Sequence, residues 1–276
     1  MMTVSRGPLR KMTVILDDPV RYSLSFGDCE LDLNALLGES LSLSFKGEIS
    51  CIHCGRQTRR SFNQGYCYRC FSSLAQCDLC IMKPEQCHYH EGTCREPEWA
   101  LSHCMQDHIV YLANGSGVKV GITRKTQIPT RWIDQGAIQA LPILKVQSRF
   151  QAGLAEVAIK AYVSDRTSWQ KMLKGRVDPV DLKEWRDRLL DQTLEQIKDL
   201  RERFGEDAVE ILDDSEALDI RFPVIEYPLK VKSFNLDKNP EVTGVLQGIK
   251  GQYLIFDGGV INIRKYGGYV VELRKN

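Results

Sequence analysis

The sequence has no apolar run of about eighteen residues, the length a membrane-spanning helix needs, so no transmembrane helix is predicted and no membrane partner is expected. Residues 1–18 also lack the apolar stretch of a secretory signal, which makes a cytoplasmic location the expectation. An excess of charge of one sign is missing as well. There are 37 Lys and Arg against 36 Asp and Glu, a net charge of +1 and a pI near 7.5. That excludes a chain that binds polyanions over its whole surface. Apolar material is not scarce: 276 residues at 43% hydrophobic content can bury a sizeable core in two or three domains.

Cysteine is abundant, with ten in the chain. In a reducing compartment that number argues for metal ligation over disulfides. Cys51 and Cys54 form one two-residue-spaced pair, and Cys67 and Cys70 a second. Two such knuckles supply four soft thiolates at the spacing that closes a tetrahedral zinc site, with Gly55 and Gly65 available for the tight turns. Arg56, Arg59 and Arg60, on the loop between them, are candidates for contact with nucleic acid or for a solvated loop. Further on, Cys77, Cys80, Cys87 and Cys94 make the simplest second all-thiolate set, with His90, Cys104 and His108 as alternates. About two structural zinc ions are therefore expected. Cys29 stands apart and reads as a small buried hydrophobe.

The middle of the chain has the most organised pattern. Ile109 to Leu112 and Val118 to Ile122 read as two strands, with a hairpin turn expected at Asn114-Gly115 because both positions of that turn need positive φ. A short helix follows, with Pro129 near its first turn and Gly136 ending it. Leu141 to Val146 reads as a third strand. Phe150 to Val163 reads as a second helix that puts Leu154, Val157, Ala158 and Ala161 toward the core. Tyr111, Arg131 and Glu156 fall on no apolar face. Residues 105–176 also hold eleven bases against four acids, a local charge of +7 inside a neutral protein, as a reader of phosphate backbones would show.

This order of hairpin, helix, strand and helix, with those residues, resembles the GIY-YIG nuclease superfamily. Ile109-Val110-Tyr111 is similar to its first half-motif and Lys119-Val120-Gly121 to its second. The resemblance implies a three-stranded antiparallel sheet with helices. It also implies that Arg131 binds phosphate, that Glu156 binds metal, and that Ser168 stands where many members have asparagine. The first motif lacks its glycine, and Lys119 stands where the second tyrosine usually stands. Over its whole length the chain also resembles a prokaryotic zinc-cluster family of unknown function.

The chemistry this implies is phosphodiester hydrolysis. Glu156 suits a Mg²⁺ or Mn²⁺ ion, Arg131 can grip two phosphate oxygens, Tyr111 can hold or deprotonate water, and Lys119 can stabilise phosphate. Ala152 and Gly153, one turn before Glu156, are small enough to let a phosphate approach. The partner is then DNA or RNA. Two other readings keep the same residues: a binding module that has lost hydrolysis, and a zinc scaffold for protein contacts.

The fold class is α+β. Residues 1–50 read as an N-terminal β segment, 51–104 as the zinc segment and 105–176 as the GIY-YIG-like module. Residues 177–205 read as a long helix starting at Asp178-Pro179, with Leu182, Trp185, Leu189, Ile197, Leu200 and Phe204 as its apolar stripe. Residues 206–276 read as an acidic linker and then a small β domain, a barrel or sandwich with the N-terminal strands as candidates to complete it. Its strands are expected at 229–231, 244–246, 253–256, 260–263 and 269–273, with Tyr253, Tyr266 and Tyr269 able to stack on bases.

Overall fold

A computed structural model describes residues 2–26 and 29–276. In chain order its strands and α-helices begin with β1 (Met2–Pro8), β2 (Thr13–Ile15), β3 (Arg21–Phe26), β4 (Cys29–Asp32), β5 (Ser40–Ser50), β6 (Gln57–Thr58) and α1 (Tyr68–Ser73). They continue with α2 (Pro97–His103), β7 (His108–Asn114), β8 (Val118–Arg124), α3 (Thr130–Asp134), β9 (Gln139–Val146), α4 (Arg149–Ile159) and α5 (Trp169–Leu173). Then come α6 (Leu182–Gln192), α7 (Leu194–Phe204), β10 (Val209–Ile211), β11 (Leu218–Asp219), β12 (Glu241–Lys250), β13 (Tyr253–Phe256), β14 (Gly259–Asn262) and β15 (Tyr269–Lys275). The chain divides into two compact units, one of residues 1–73, 173–175 and 220–276, the other of residues 74–172 and 176–219. Among the described residues no helix is long and apolar enough to cross a membrane.

The first unit joins both ends of the chain. Its main sheet runs β1-β15-β5-β12-β13-β14, with β6 beside β5, and every pair is antiparallel. β5 buries Leu41, Ser42 and Leu43 in succession, and Leu43 stands opposite both Leu273 of β15 and Val242 of β12. Burying each such aliphatic side chain stabilises the sheet by roughly 1.5–3 kcal/mol. β1 and β14 are the two ends of this sheet, so among the described residues it does not close into the expected barrel. A separate sheet, β2-β3-β4, holds the remaining N-terminal strands. Residues 229–231, expected as a strand, lie outside any strand, and Cys29, expected to be buried, is exposed at the start of β4. β-rich composition marked residues 229–231 and isolation from the other cysteines marked Cys29, but pairing of Cys29 with Phe26 in β3 leaves it exposed.

The second unit is built on the antiparallel order β10-β9-β7-β8, with β11 also on β9. Hairpin, helix, strand and helix follow in the expected order. The turn differs: Asn114 stays in β7 opposite Val118, and Gly115-Ser116-Gly117 makes the connection with positive φ at Gly117. Asn114 is held in the strand because its side-chain amide donates to Asp178 O at 2.9 Å. The rotation of α4 also differs. A capping box in which Ser148 Oγ accepts from Gln151 N, and Gln151 Oε1 from Ser148 N, starts the helix one residue early. Gln151, Ala152, Ala155 and Ile159 are then buried, while Val157 is 38% exposed and Ala161 lies beyond the helix end.

The stretch expected as one long helix is two. Thr193 separates α6 from α7, and its Oγ1 donates to Leu189 O at 2.7 Å. The N-cap is Asp181, whose carboxylate accepts from Lys183 N and Glu184 N. Leu182, Leu189, Ile197 and Leu200 nevertheless join the core of β7, β8 and β9. Part of the acidic stretch read as a linker forms β10, which pairs with β9 from Val209 opposite Val146.

Candidate functional site

Cys51, Cys54, Cys67 and Cys70 come together. Their sulfur atoms lie within 4.8 Å of one another, with Cys54 and Cys67 Sγ 3.8 Å apart, and only Cys54 is exposed. Gly55, at φ +70°, turns the first knuckle so that its N–H donates to Cys51 O at 2.9 Å. Burial opposes ionisation of Cys51, but backbone N–H groups of Cys54, Cys67 and His53 bring its thiol down to about 6, whereas burial pushes Cys70 up. Four thiols so placed suit a structural zinc ion, which would take all of them as thiolates.

The second cysteine segment is arranged differently. Cys80, Cys87, Cys94 and Cys104 line one cavity of about 10 Å³, together with Asp78 and His88. A hydrogen bond between the thiols of Cys80 and Cys87 raises the first and draws the second down to about 6. Asp78, Cys80 and His88 also bring their ligand atoms within 4.8 Å of one another, but Asp78 pairs with Arg95 at 2.6 Å and His88 Nδ1 sits 2.7 Å from Thr93 Oγ1. Cys77 is buried outside the lining of this cavity. His90 packs edge-on to Phe150, and His108 is fully buried, with Nδ1 donating to Gln106 O at 2.7 Å and Nε2 without a hydrogen-bond partner among the described residues. Burial pushes His108 down to about 4.

Helix α4 is seated on this segment. Arg149 N donates to Cys104 O and its Nη2 to Ile81 O, both at 2.7 Å. Gly153 faces Pro84 and Glu85 so closely that a Cβ there would lie 2.6 Å from Glu85 N. Ala152 and Gly153, expected to leave room for phosphate, are therefore buried, and the glycine serves helix packing.

Glu156, one turn further along α4, is half-buried. Burial, and then the nearby Asp165, raise its carboxyl, against the pull of Lys160, Arg149 and Arg131. Tyr111 is fully buried in β7 and its hydroxyl donates to Gln135 Oε1 at 3.0 Å. Gly121 stands opposite in β8, where a Cβ would lie 2.8 Å from that hydroxyl, so the glycine of Lys119-Val120-Gly121 is needed for the tyrosine to fit. Burial raises the Tyr111 phenol although Arg131 hydrogen-bonds it, so the group is neutral. Lys119, 6% exposed, is pushed down to about 8 by burial and then by Arg131. Arg131 thus acts on Tyr111, Lys119 and Glu156 alike. Ser168 is exposed. Its N–H donates to Ser116 Oγ at 2.9 Å, and its carbonyl starts α5, with no bond to the other four among the described residues.

Three participants were not foreseen. Asp165 reaches Lys119 because the chain after α4 runs beside β8, with Val120 N donating to Ser164 O at 2.9 Å. Gln135 and Arg149 take their roles from tertiary contacts, and the only local cues are the Gly136 helix stop after the one and the Ser148 cap before the other.

Residues 38–271 match the profile of a family described as "Protein of unknown function (DUF2797)". The chain belongs to this family. The DUF2797 match spans both cysteine segments and all of Tyr111, Lys119, Arg131 and Glu156. No curated protein and no solved structure matches the chain.

Proposed function

We propose that this protein is a zinc-stabilised, divalent-metal-dependent nuclease of the GIY-YIG kind, with its site on β7, β8, α3 and α4. What supports this reading is the hairpin, helix, strand and helix order of β7, β8, α3, β9 and α4, with Tyr111 packed on Gly121 of Lys119-Val120-Gly121 and Arg131 near enough to act on Tyr111, Lys119 and Glu156. The surplus of seven positive charges over residues 105–176 supports DNA or RNA as the partner. Free thiols suit a reducing compartment, in keeping with a cytoplasmic location.

Glu156, with Asp165 close enough to raise its carboxyl, offers hard oxygen donors of the type Mg²⁺ and Mn²⁺ prefer, and charge that such an ion would relieve. When bound, a divalent ion would polarise the phosphate and stabilise the leaving oxygen. Arg131 clamps the phosphate with its planar fork. Tyr111, neutral and hydrogen-bonded to Gln135, positions rather than deprotonates. Lys119, lowered to about 8, is uncharged in a useful fraction at neutral pH and takes the proton of the attacking water. That role gives a reason for lysine in place of the second tyrosine. Ser168 keeps an accessory place at the α5 start.

Cys51, Cys54, Cys67 and Cys70 hold one zinc. The second is held by Cys80, Cys87, Cys94 and Cys104, which share a cavity that Cys77 does not line. This second site steadies α4, and with it Glu156, through Arg149 and Gly153. The zinc-loaded protein should nick supercoiled DNA, branched DNA or structured RNA in Mg²⁺ or Mn²⁺. Salt-sensitive binding to all three with no cleavage of any would replace this reading with that of a binding module.

A further inference from the structure

The first unit contains a groove of about 730 Å³ lined by the loop joining the two cysteine knuckles and by residues of strands β5 and β15. Its volume is that of a site for a compact ligand, about 300–1,000 Å³, and its walls combine four kinds of group. Arg59, Arg60 and Lys265 are cationic. Asp237 is the carboxylate facing them, and its Oδ1 already accepts the Tyr269 hydroxyl at 2.8 Å. The net field therefore favours an anion. Asn63 and Gln64 add two exposed side-chain amides, each carrying both donors and acceptors. Phe45, half-buried and 4.8 Å from the Tyr269 ring, adds a flat apolar wall.

The loop is held rigidly. Both Asn63 (φ +42°) and Gln64 (φ +66°) adopt left-handed backbone without being glycine, and for glutamine in particular that conformation costs free energy. It persists because the turn before β15 presses on the loop. A Cβ at Gly267 would lie 2.1 Å from Gln64 O, and Ser61 Oγ donates to Gly267 O at 3.2 Å. The cysteine cluster fixes the loop at both ends, from Cys54 to Cys67. Strain at two amide-bearing residues, maintained by Gly267 and the cysteines, is what a pre-set recognition element requires.

We infer that this groove binds a short segment of single-stranded nucleic acid. Arg59, Arg60 and Lys265 would take successive phosphates. Phe45 would pack against a base, and the amides of Asn63 and Gln64 would read a base edge that is hidden in a duplex. Tyr266 and Tyr253 do not stack in this arrangement. Tyr266 is buried and its hydroxyl accepts from Leu236 N at 3.2 Å, and Tyr253 lies on β13 away from the lining. This inference does not depend on nuclease activity.

The test uses the zinc-loaded full chain without added Mg²⁺ and a uridine hexamer carrying one 4-thiouridine. Photo-crosslinks should map to the peptide around Phe45 or to residues 59–64. Reversing charge at Arg59, Arg60 and Lys265 together should remove those crosslinks, weaken hexamer binding at least tenfold, and reduce the log–log salt slope by about 2, at roughly 0.7 per phosphate contact. Asn63→Gly keeps the left-handed backbone but deletes the amide, and should weaken binding several-fold. Unchanged zinc content shows that both variants fold, and if the triple variant loses zinc, Asn63→Gly and Lys265→Ala decide. Uridine monophosphate should compete far more weakly than the hexamer. Crosslinks confined to residues 74–219, or wild-type affinity in the folded variants, would overturn the inference. Competition by the mononucleotide as strong as by the hexamer would overturn the strand in favour of a free nucleotide.

Discussion

Lys119→Met should make the protein more stable while removing its activity. Lys119 is 6% exposed and its amine is pushed from 10.5 down to about 8, a shift worth about 3 kcal/mol at about 1.36 kcal/mol per pKa unit. Below pH 8 the folded protein must keep a proton on a desolvated amine, and that cost is fully present. Between about 8 and 10.5 the folded state has released the proton while the unfolded state still holds it, so stability rises with pH through this window. Methionine has nearly the same length and no charge. At pH 7 the variant should therefore be more stable by about 1–3 kcal/mol, the lower values allowing for lost attraction to Glu156 and Asp165. The difference should shrink toward zero by pH 10.5. Urea unfolding at saturating zinc, followed by circular dichroism at pH 7, 8.5 and 10, measures it. A variant less stable at pH 7, or a difference that ignores pH, would show that the lysine carries no desolvation cost.

Other outcomes follow from the same geometry. If Lys119 accepts the water's proton, the cleavage rate should rise about tenfold per pH unit below pH 8 and level off above it, whereas a falling rate above 8 would assign it to phosphate as a cation. Elemental analysis should find about two zinc ions per chain. Cys104→Ser should lower this to about one and Cys77→Ser leave it unchanged, and the reverse pattern would restore Cys77 as the ligand. Gly153→Ala should destabilise by about 1–3 kcal/mol, because its Cβ would meet the backbone of Pro84 and Glu85, and a wild-type melting temperature would show that α4 is not clamped there.

What could be read from the sequence was local. Two-residue spacing brings a cysteine pair to one point whatever surrounds it, so Cys51, Cys54, Cys67 and Cys70 converge as expected. The strands β7, β8 and β9 were likewise legible as β-rich runs. The chemistry of the hairpin turn was misplaced by one residue, because Asn114 is held by Asp178, 64 positions away. Of the face expected for α4, Leu154 packs against the core but Val157 does not, because the Ser148–Gln151 cap and the fit of Gly153 on Pro84 set the helix rotation, and neither shows in apolar periodicity. β10 and Asp165 depend on where the chain returns to the sheet, information that a window of ten residues does not hold. Closure of the first unit's sheet failed for the same reason: β-rich runs mark where strands such as β5 form, but not whether β1 and β14 meet.

The most direct test of the nuclease assignment is the cleavage rate of Glu156→Gln against wild type in Mn²⁺, with zinc content, melting temperature and nucleic-acid affinity measured on the same samples. Glutamine keeps the size of the side chain and removes the charge a divalent ion needs. The rate should fall at least about a hundredfold, equivalent to about 3 kcal/mol of transition-state stabilisation, while affinity holds or rises as a repulsive carboxylate is lost. A folded Glu156→Gln protein that cuts at the wild-type rate would remove Glu156, and the metal assigned to it, from the mechanism.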